Sequence, residues 1–163
     1  MTKVAIFIGS ISDEPMVRPC VDILQDLNIS CRFTVTSAHR SAERTERLIK
    51  ELEAEGCQLY ICAAGMAAHL AGAVAAKTIK PVIGIPVAAS PLQGMDALLS
   101  TVMMPPGIPV ATVGLDKAGA KNAAWLAAQI LALSDADLAG RLVQVRKNFA
   151  HEVEQAAATL EQK

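Results

Sequence analysis

Aromatic side chains are scarce in this sequence. Phe, Trp and Tyr make up 3% of its 163 residues, with one Trp and one Tyr. So few rings give no stacking platform for single-stranded nucleic acid and little to hold a flavin ring. Charge of one sign is lacking as well. Fifteen Lys and Arg stand against sixteen Asp and Glu, a formal net charge of −1, which excludes the basic stripe of a general polyanion binder. Nucleic acid is therefore not an expected partner. The four cysteines, Cys20, Cys31, Cys57 and Cys62, form no CxxC pair, so their spacing suits neither a zinc site nor a disulfide framework. They read as reduced core residues of a cytosolic protein. Long apolar runs are missing too. The stretch 59–87 comes nearest, and His69, Lys77, Lys80 and several Gly and Pro interrupt it, so no membrane span is expected. The start of the chain has no charged segment followed by an apolar stretch and a cleavage site. No secretory signal is expected, and the location is read as cytoplasmic.

What is present is aliphatic. Hydrophobic residues make up 52% of the chain, mostly Ala, Val, Ile and Leu. A chain of this length fits one domain, residues 1–163, able to bury roughly 70% of its unfolded surface without a disulfide or metal staple. Small side chains let helices and strands approach closely, and they leave apolar surface for subunit contacts.

The apolar pattern alternates between two kinds. Val4–Ile8 is a continuous apolar run, as in a parallel strand covered on both faces. A polar loop, 9–13, follows. Val17, Val21, Leu24 and Leu27 then recur at helical spacing, with Asn28 as a stop. Residues 31–36 read as a second strand and 37–40 as its loop. Ser41 stands where it would cap a helix carrying Leu48 and Leu52 and ending near Gly56. A third strand is expected at 59–63, a loop at 64–69 and an Ala-rich helix to about Lys77. Further strands are expected at 81–85 and 108–113, and helices at 94–104 and 118–133. Ser134 is the expected cap of a final amphipathic helix within 134–163, to be packed on the core or on a neighbouring subunit. Such alternation implies an open parallel sheet with helices on both faces.

In these sheets ligands bind beyond the carboxyl ends of the strands, at a switch in strand order. Ser10, Ser12, Asp13, Ser37, His39, Arg40 and His69 fall in the first three strand-to-helix loops and so are expected to share one site. The serines and backbone N–H groups of the first loop suit a phosphate at a helix N-terminus, while Asp13 faces sugar hydroxyls or caps the helix. That loop has neither GxGxxG nor GxxxxGK[ST], so neither dinucleotide nor nucleoside-triphosphate binding is supported. Arg40 suits bidentate phosphate recognition, and its neighbour His39 can transfer protons near neutral pH. His69 has two readings, a buried histidine bonded to a backbone carbonyl or a direct catalytic group. His151, on the last helix, reads as a surface residue.

GSISD at 9–13, SAHR at 37–40 and AGMAAHLAG at 64–72, in this order, resemble the N5-carboxyaminoimidazole ribonucleotide mutase family, also called the catalytic subunit of phosphoribosylaminoimidazole carboxylase. The likeness continues through PVIGIPV, GMDALLSTVMMPPGIPVATV and KNAAWLAAQIL and covers nearly the whole chain. It implies a three-layer αβα, flavodoxin-like fold with an extra C-terminal helix, a homo-octamer, and isomerisation of N5-carboxyaminoimidazole ribonucleotide to its 4-carboxy isomer without cofactor or metal. It also implies that Ser10, Ser12 and Arg40 hold the phosphate, that Asp13 holds the ribose, and that His39 is the acid/base. The rest of the substrate surface would be Ser37, Ala38, Gly65, Ala67, Ala68, His69 and Leu70. The AAHL stretch resembles the bacterial mutase branch. Four positions depart from the common pattern: Met66, where Gly is usual, Ala71, where Pro is, Ala89 within an altered 88–91 run, and Met103, where Gln is common. Three competing readings are direct carboxylation by free carbon dioxide, a flavodoxin-like cofactor-binding protein that would carry a flavin, and a non-catalytic nucleotide sensor or assembly subunit.

Overall fold

A computed structural model describes residues 2–161 of the chain. Two compact units divide it, Met1–Ala127 and Ala128–Lys163.

The first unit is built on five parallel strands: β1 (Val4–Ile8), β2 (Cys31–Val35), β3 (Leu59–Gly65), β4 (Val82–Val87) and β5 (Ala111–Thr112). Their order is β2-β1-β3-β4-β5. This is the doubly wound flavodoxin-like arrangement, whose order reverses between β1 and β3. Helices α1 (Glu14–Asp26), α2 (Ala42–Ala54), α3 (Leu70–Ala75) and α4 (Met95–Val102) connect them. Helix α5 (Asp116–Ala132) begins in this unit and ends in the second.

All five residues of β1 are buried, as the uninterrupted apolar run required. Side chains alternate between the faces of a strand. Ala5 and Phe7 of β1 share one cluster with Tyr60 and Cys62 of β3, Leu48, Ile49 and Leu52 of α2, and Leu70 and Val74 of α3. The phenol of Tyr60 is fully buried and donates to the Ile49 carbonyl at 3.3 Å, which satisfies the one polar atom that ring brings into the core. Each fully buried Leu or Ile here contributes roughly 1.5–3 kcal/mol. Cys20, Cys57 and Cys62 are buried thiols and Cys31 is half-buried. Burial pushes all four thiols up from the usual value, so none is primed as a nucleophile.

Several boundaries differ from expectation, each for a local reason. The last strand keeps two residues, Ala111 and Thr112, where six were expected, because Pro109 brings no N–H to a ladder. Strand β3 runs on to Gly65, where Ala64 and Gly65 pair with Pro86 and Val87 of β4. Helix α3 stops at Ala75, short of Lys77. Helix α1 ends on schedule, with Asn28 at φ 54°, a left-handed conformation that Asn tolerates.

In the second unit, helix α6 (Ala136–Glu161) carries exposed Val143, Val153 and Leu160. Its cap is Asp135, whose Oδ1 accepts from Leu138 N–H at 3.0 Å. The expected cap, Ser134, donates instead to the Leu131 carbonyl at 3.4 Å. His151 is exposed, as expected, and lies 2.8 Å from Gln155 Nε2.

Candidate active site

The loops after β1, β2 and β3 converge at the carboxyl end of the sheet around a cleft of about 620 Å³. Eleven of the twelve residues expected from sequence line it, and Ala68 does not. Ala68 is 2% exposed and turned into the core, although its N–H donates to the Met66 carbonyl at 2.9 Å. Four lining residues had no assigned role, Gly9, Ala64, Met66 and Ala89. Two of these, Met66 and Ala89, had stood out only as departures from a family pattern.

The first loop is one turn of 3₁₀ helix, Ile11–Asp13, closed by reciprocal bonds. Ser10 Oγ accepts from Ser12 N–H at 3.4 Å, and Asp13 Oδ2 accepts from Ser10 N–H at 3.1 Å. Ser10 thus caps this turn, with Asp13 as the reciprocal acceptor, and Asp13 makes no side-chain cap bond to α1. Asp13 is only 5% exposed. Burial pushes its pKa up from the ordinary value of 3.8, while the bonds from Ser10 N–H and the Ser12 hydroxyl pull it down.

The second loop is held by hydroxyls. Thr36 and Thr45, both buried, share a 2.7 Å hydrogen bond that ties the end of β2 to α2. Ser41 Oγ accepts from Ser37 N–H at 2.9 Å and donates to the Ser37 carbonyl at 3.2 Å. Ser41 therefore folds the loop back on itself and makes no side-chain cap bond to α2. Ser37 Oγ accepts from Arg40 N–H at 3.2 Å. Arg40 reaches across to the first loop, where its Nη2 donates to the Gly9 carbonyl at 3.2 Å, which brings a guanidinium beside the Ser10–Ser12 turn.

The third loop is shaped by backbone. A Cβ on Gly65 would stand 2.6 Å from Ala89 Cβ and 3.0 Å from the Val87 carbonyl oxygen, so only glycine fits there. Met66 follows at φ 55°, which costs a non-glycine residue roughly 1–2 kcal/mol. It is 59% exposed on the cleft. His69 N–H donates to the Ala67 carbonyl at 2.7 Å.

These two loops bring the imidazoles together. His39 Nε2 lies 2.7 Å from His69 Nδ1, with ring centroids 4.8 Å apart and edge-on at 73°. His69 is exposed, so the reading of a buried histidine bonded to a carbonyl does not describe it. A hydrogen bond at this distance needs an N–H on one ring and a bare nitrogen on the other. No cluster of His, Cys, Asp and Glu able to hold a metal occurs among the described residues, and no helix among them is long and apolar enough to cross a membrane.

A family model described as AIR carboxylase matches residues 3–152. Three of the similar proteins, each named N5-carboxyaminoimidazole ribonucleotide mutase, come from Bacillus subtilis, Escherichia coli K12 and Pyrococcus abyssi. The first is 48% identical, over 89% of this chain and 90% of its own length. The second is 46% identical over 93% and 89%, and the third 45% identical over 91% and 84%. Among solved structures, the crystal structure of Treponema denticola PurE superposes with a TM-score of 0.89 at 30% identity, covering 98% of this chain and 99% of that one.

Proposed function

This chain belongs to the AIR carboxylase family, and we propose that its cleft converts N5-carboxyaminoimidazole ribonucleotide to 4-carboxyaminoimidazole ribonucleotide in purine biosynthesis. The observation that carries the reading is the 2.7 Å contact between His39 and His69 inside a cleft whose remaining walls suit a phosphorylated sugar.

The substrate phosphate lies against Ser10, Ser12 and the Arg40 guanidinium, and Asp13 takes the ribose hydroxyls. Ser37 and Ala38 flank the ribotide. Gly65, Ala67, His69, Leu70 and the backbone at Ala68 line the aminoimidazole and carboxylate. In the first step the N–CO₂ bond of the carbamate breaks. Its electron pair stays on nitrogen, and His39 supplies the proton that leaves a neutral amine. Carbon dioxide remains in the cleft. Ring carbon 4 attacks it, and the proton on that carbon passes to His39, which restores the aromatic ring and the starting protonation state. His69 orients the His39 ring and shares its proton. No electrons are exchanged, so the sequence of steps calls on no redox cofactor, biotin or nucleoside triphosphate. Holding both fragments together contributes on the order of several kcal/mol, and acid/base help a further 10²–10⁴-fold, roughly.

The enzyme works in the cytoplasm as a homo-octamer of single-domain subunits, residues 1–163. Support for assembly comes from the exposed apolar residues Met95, Leu99 and Val102 on α4, with Met103 just after it, and from Val143 and Val153 on α6, surface that a neighbouring subunit would cover.

The test is incubation with the N5-carboxylated ribonucleotide, following product by absorbance, with H39N as control. Rearranged product from the parent and not from H39N is expected, and no product from the parent overturns the reading. A second reading has one specific support, the family description itself, which names a carboxylase. Fast product formation at low carbon dioxide from unmodified aminoimidazole ribonucleotide would favour it.

A further inference from the structure

Met66 is the one lining residue whose backbone opposes its own side chain. It sits at φ 55°, a region that glycine enters freely and other L-residues rarely do. Its position is fixed on both sides. Before it, Gly65 packs so close to the loop after β4 that a Cβ there would stand 2.6 Å from the Ala89 Cβ. Beyond Met66, its own carbonyl accepts from Ala68 N–H at 2.9 Å, and the Ala67 carbonyl accepts from His69 N–H at 2.7 Å. The backbone kink therefore belongs to the route by which the chain delivers His69 to His39. The Met66 side chain leaves that kink 59% exposed on the cleft. It is unbranched and apolar, with three rotatable bonds, and can lie over a flat ligand in more than one way. The groups that would bind the ribotide, Ser10, Ser12 and Arg40, are polar. The ring end of the cleft, by contrast, is lined by Ala64, Gly65, Ala67, Leu70 and Ala89, small apolar surface that this thioether would extend over the ligand.

We propose that Met66 is a partition-determining residue: it covers the aminoimidazole ring and the carbon dioxide freed beside it, and so favours recapture by carbon 4 over escape. The inference rests on the decarboxylation–recarboxylation reading above. Each turnover has a branch point. After the N–CO₂ bond breaks and the amine nitrogen is protonated, carbon dioxide either bonds to carbon 4, with loss of that carbon's proton to His39, or leaves, and aminoimidazole ribonucleotide is released. An apolar cover excludes water from the gas and slows the second route without contributing to the proton transfers.

The experiment uses substrate labelled with carbon-13 at its carboxyl group, in a solution of unlabelled bicarbonate. The fraction of label kept in the 4-carboxy product, and the amount of aminoimidazole ribonucleotide above the enzyme-free rate, report the partition. M66G removes the cover and relieves the backbone. Its thermal midpoint is expected to be no lower than the parent's, while loss of label rises about threefold or more. M66L restores apolar cover at the same backbone cost, and its label retention is expected to match the parent's. Unchanged retention in M66G overturns the proposal, and so does leakage in M66L equal to that in M66G. A parent that makes no rearranged product would defeat the underlying reading instead, which is a separate outcome.

Discussion

The turns that carry His39 and His69 deliver the same side chain to the same point by different means. The 37–40 turn is polar and closed by hydroxyls. The pair Thr36–Thr45 anchors the strand end to α2, and Ser41 holds both the N–H and the carbonyl of Ser37. The 65–69 turn has no such side-chain bonds within it. It is positioned by a glycine that fits where no Cβ would, by a left-handed Met66, and by two short backbone bonds. The difference teaches which perturbations each turn tolerates. A turn held by hydrogen bonds loosens by degrees as bonds are removed, at about 1 kcal/mol each. A turn held by close approach fails when an atom is added, because packed surfaces do not deform smoothly.

Four substitutions bear on that contrast, taken from the largest expected effect to the smallest. H39N removes the group proposed to move the proton, and kcat is expected to fall by roughly 10²–10⁴-fold with substrate affinity, measured separately by calorimetry, little changed. Near-normal turnover would remove His39 from the chemistry. R40A keeps the turn but withdraws the guanidinium. Losing charge-assisted hydrogen bonds worth roughly 1.5–3 kcal/mol should raise KM about 10–100-fold while kcat holds. A fall in kcat at saturating substrate would contradict a phosphate-holding role. G65A adds one methyl where Ala89 already stands 2.6 Å away, so chemical denaturation should report a loss of about 1–3 kcal/mol together with lower activity as His69 shifts. T45V removes one hydroxyl from the other turn. Thr36 keeps a second partner in Ser41 Oγ at 3.5 Å, so the expected loss is about 1 kcal/mol with activity nearly intact. If T45V proved more damaging to turnover than G65A, the contrast between the turns would be broken.

The sequence made one of these turns easier to foresee than the other. Polar residues directly after an apolar strand run mark a loop at the ligand-binding end of a parallel sheet, so Ser37, His39 and Arg40 could be placed in a site by position alone. The buried strand β1 was equally plain, since five consecutive apolar residues leave little choice. The 65–69 turn gave a weaker signal, because Ala, Gly and Met are also ordinary core residues. Its shape depends on how close Ala89 comes, from a loop more than twenty residues away. The contact between His39 and His69 spans thirty residues, and no local pattern encodes it. Caps were the least legible feature. Ser41 and Ser134 stand where capping serines should, yet Ser41 bonds back to Ser37, and Asp135 caps α6 in place of Ser134. Hydroxyls and carboxylates one residue apart compete for the same N–H groups, and only the folded geometry decides between them.

The central claim is that the two turns act together through the facing imidazoles. A double-mutant cycle on kcat with H39N, H69N and the combined variant tests it most directly. The account predicts strong non-additivity: once His39 is gone, removing His69 should cost little more, and the double variant should turn over at nearly the H39N rate. Losses that multiply, each substitution reducing kcat by the same factor whether or not the other is present, would show that the histidines work independently and would contradict it.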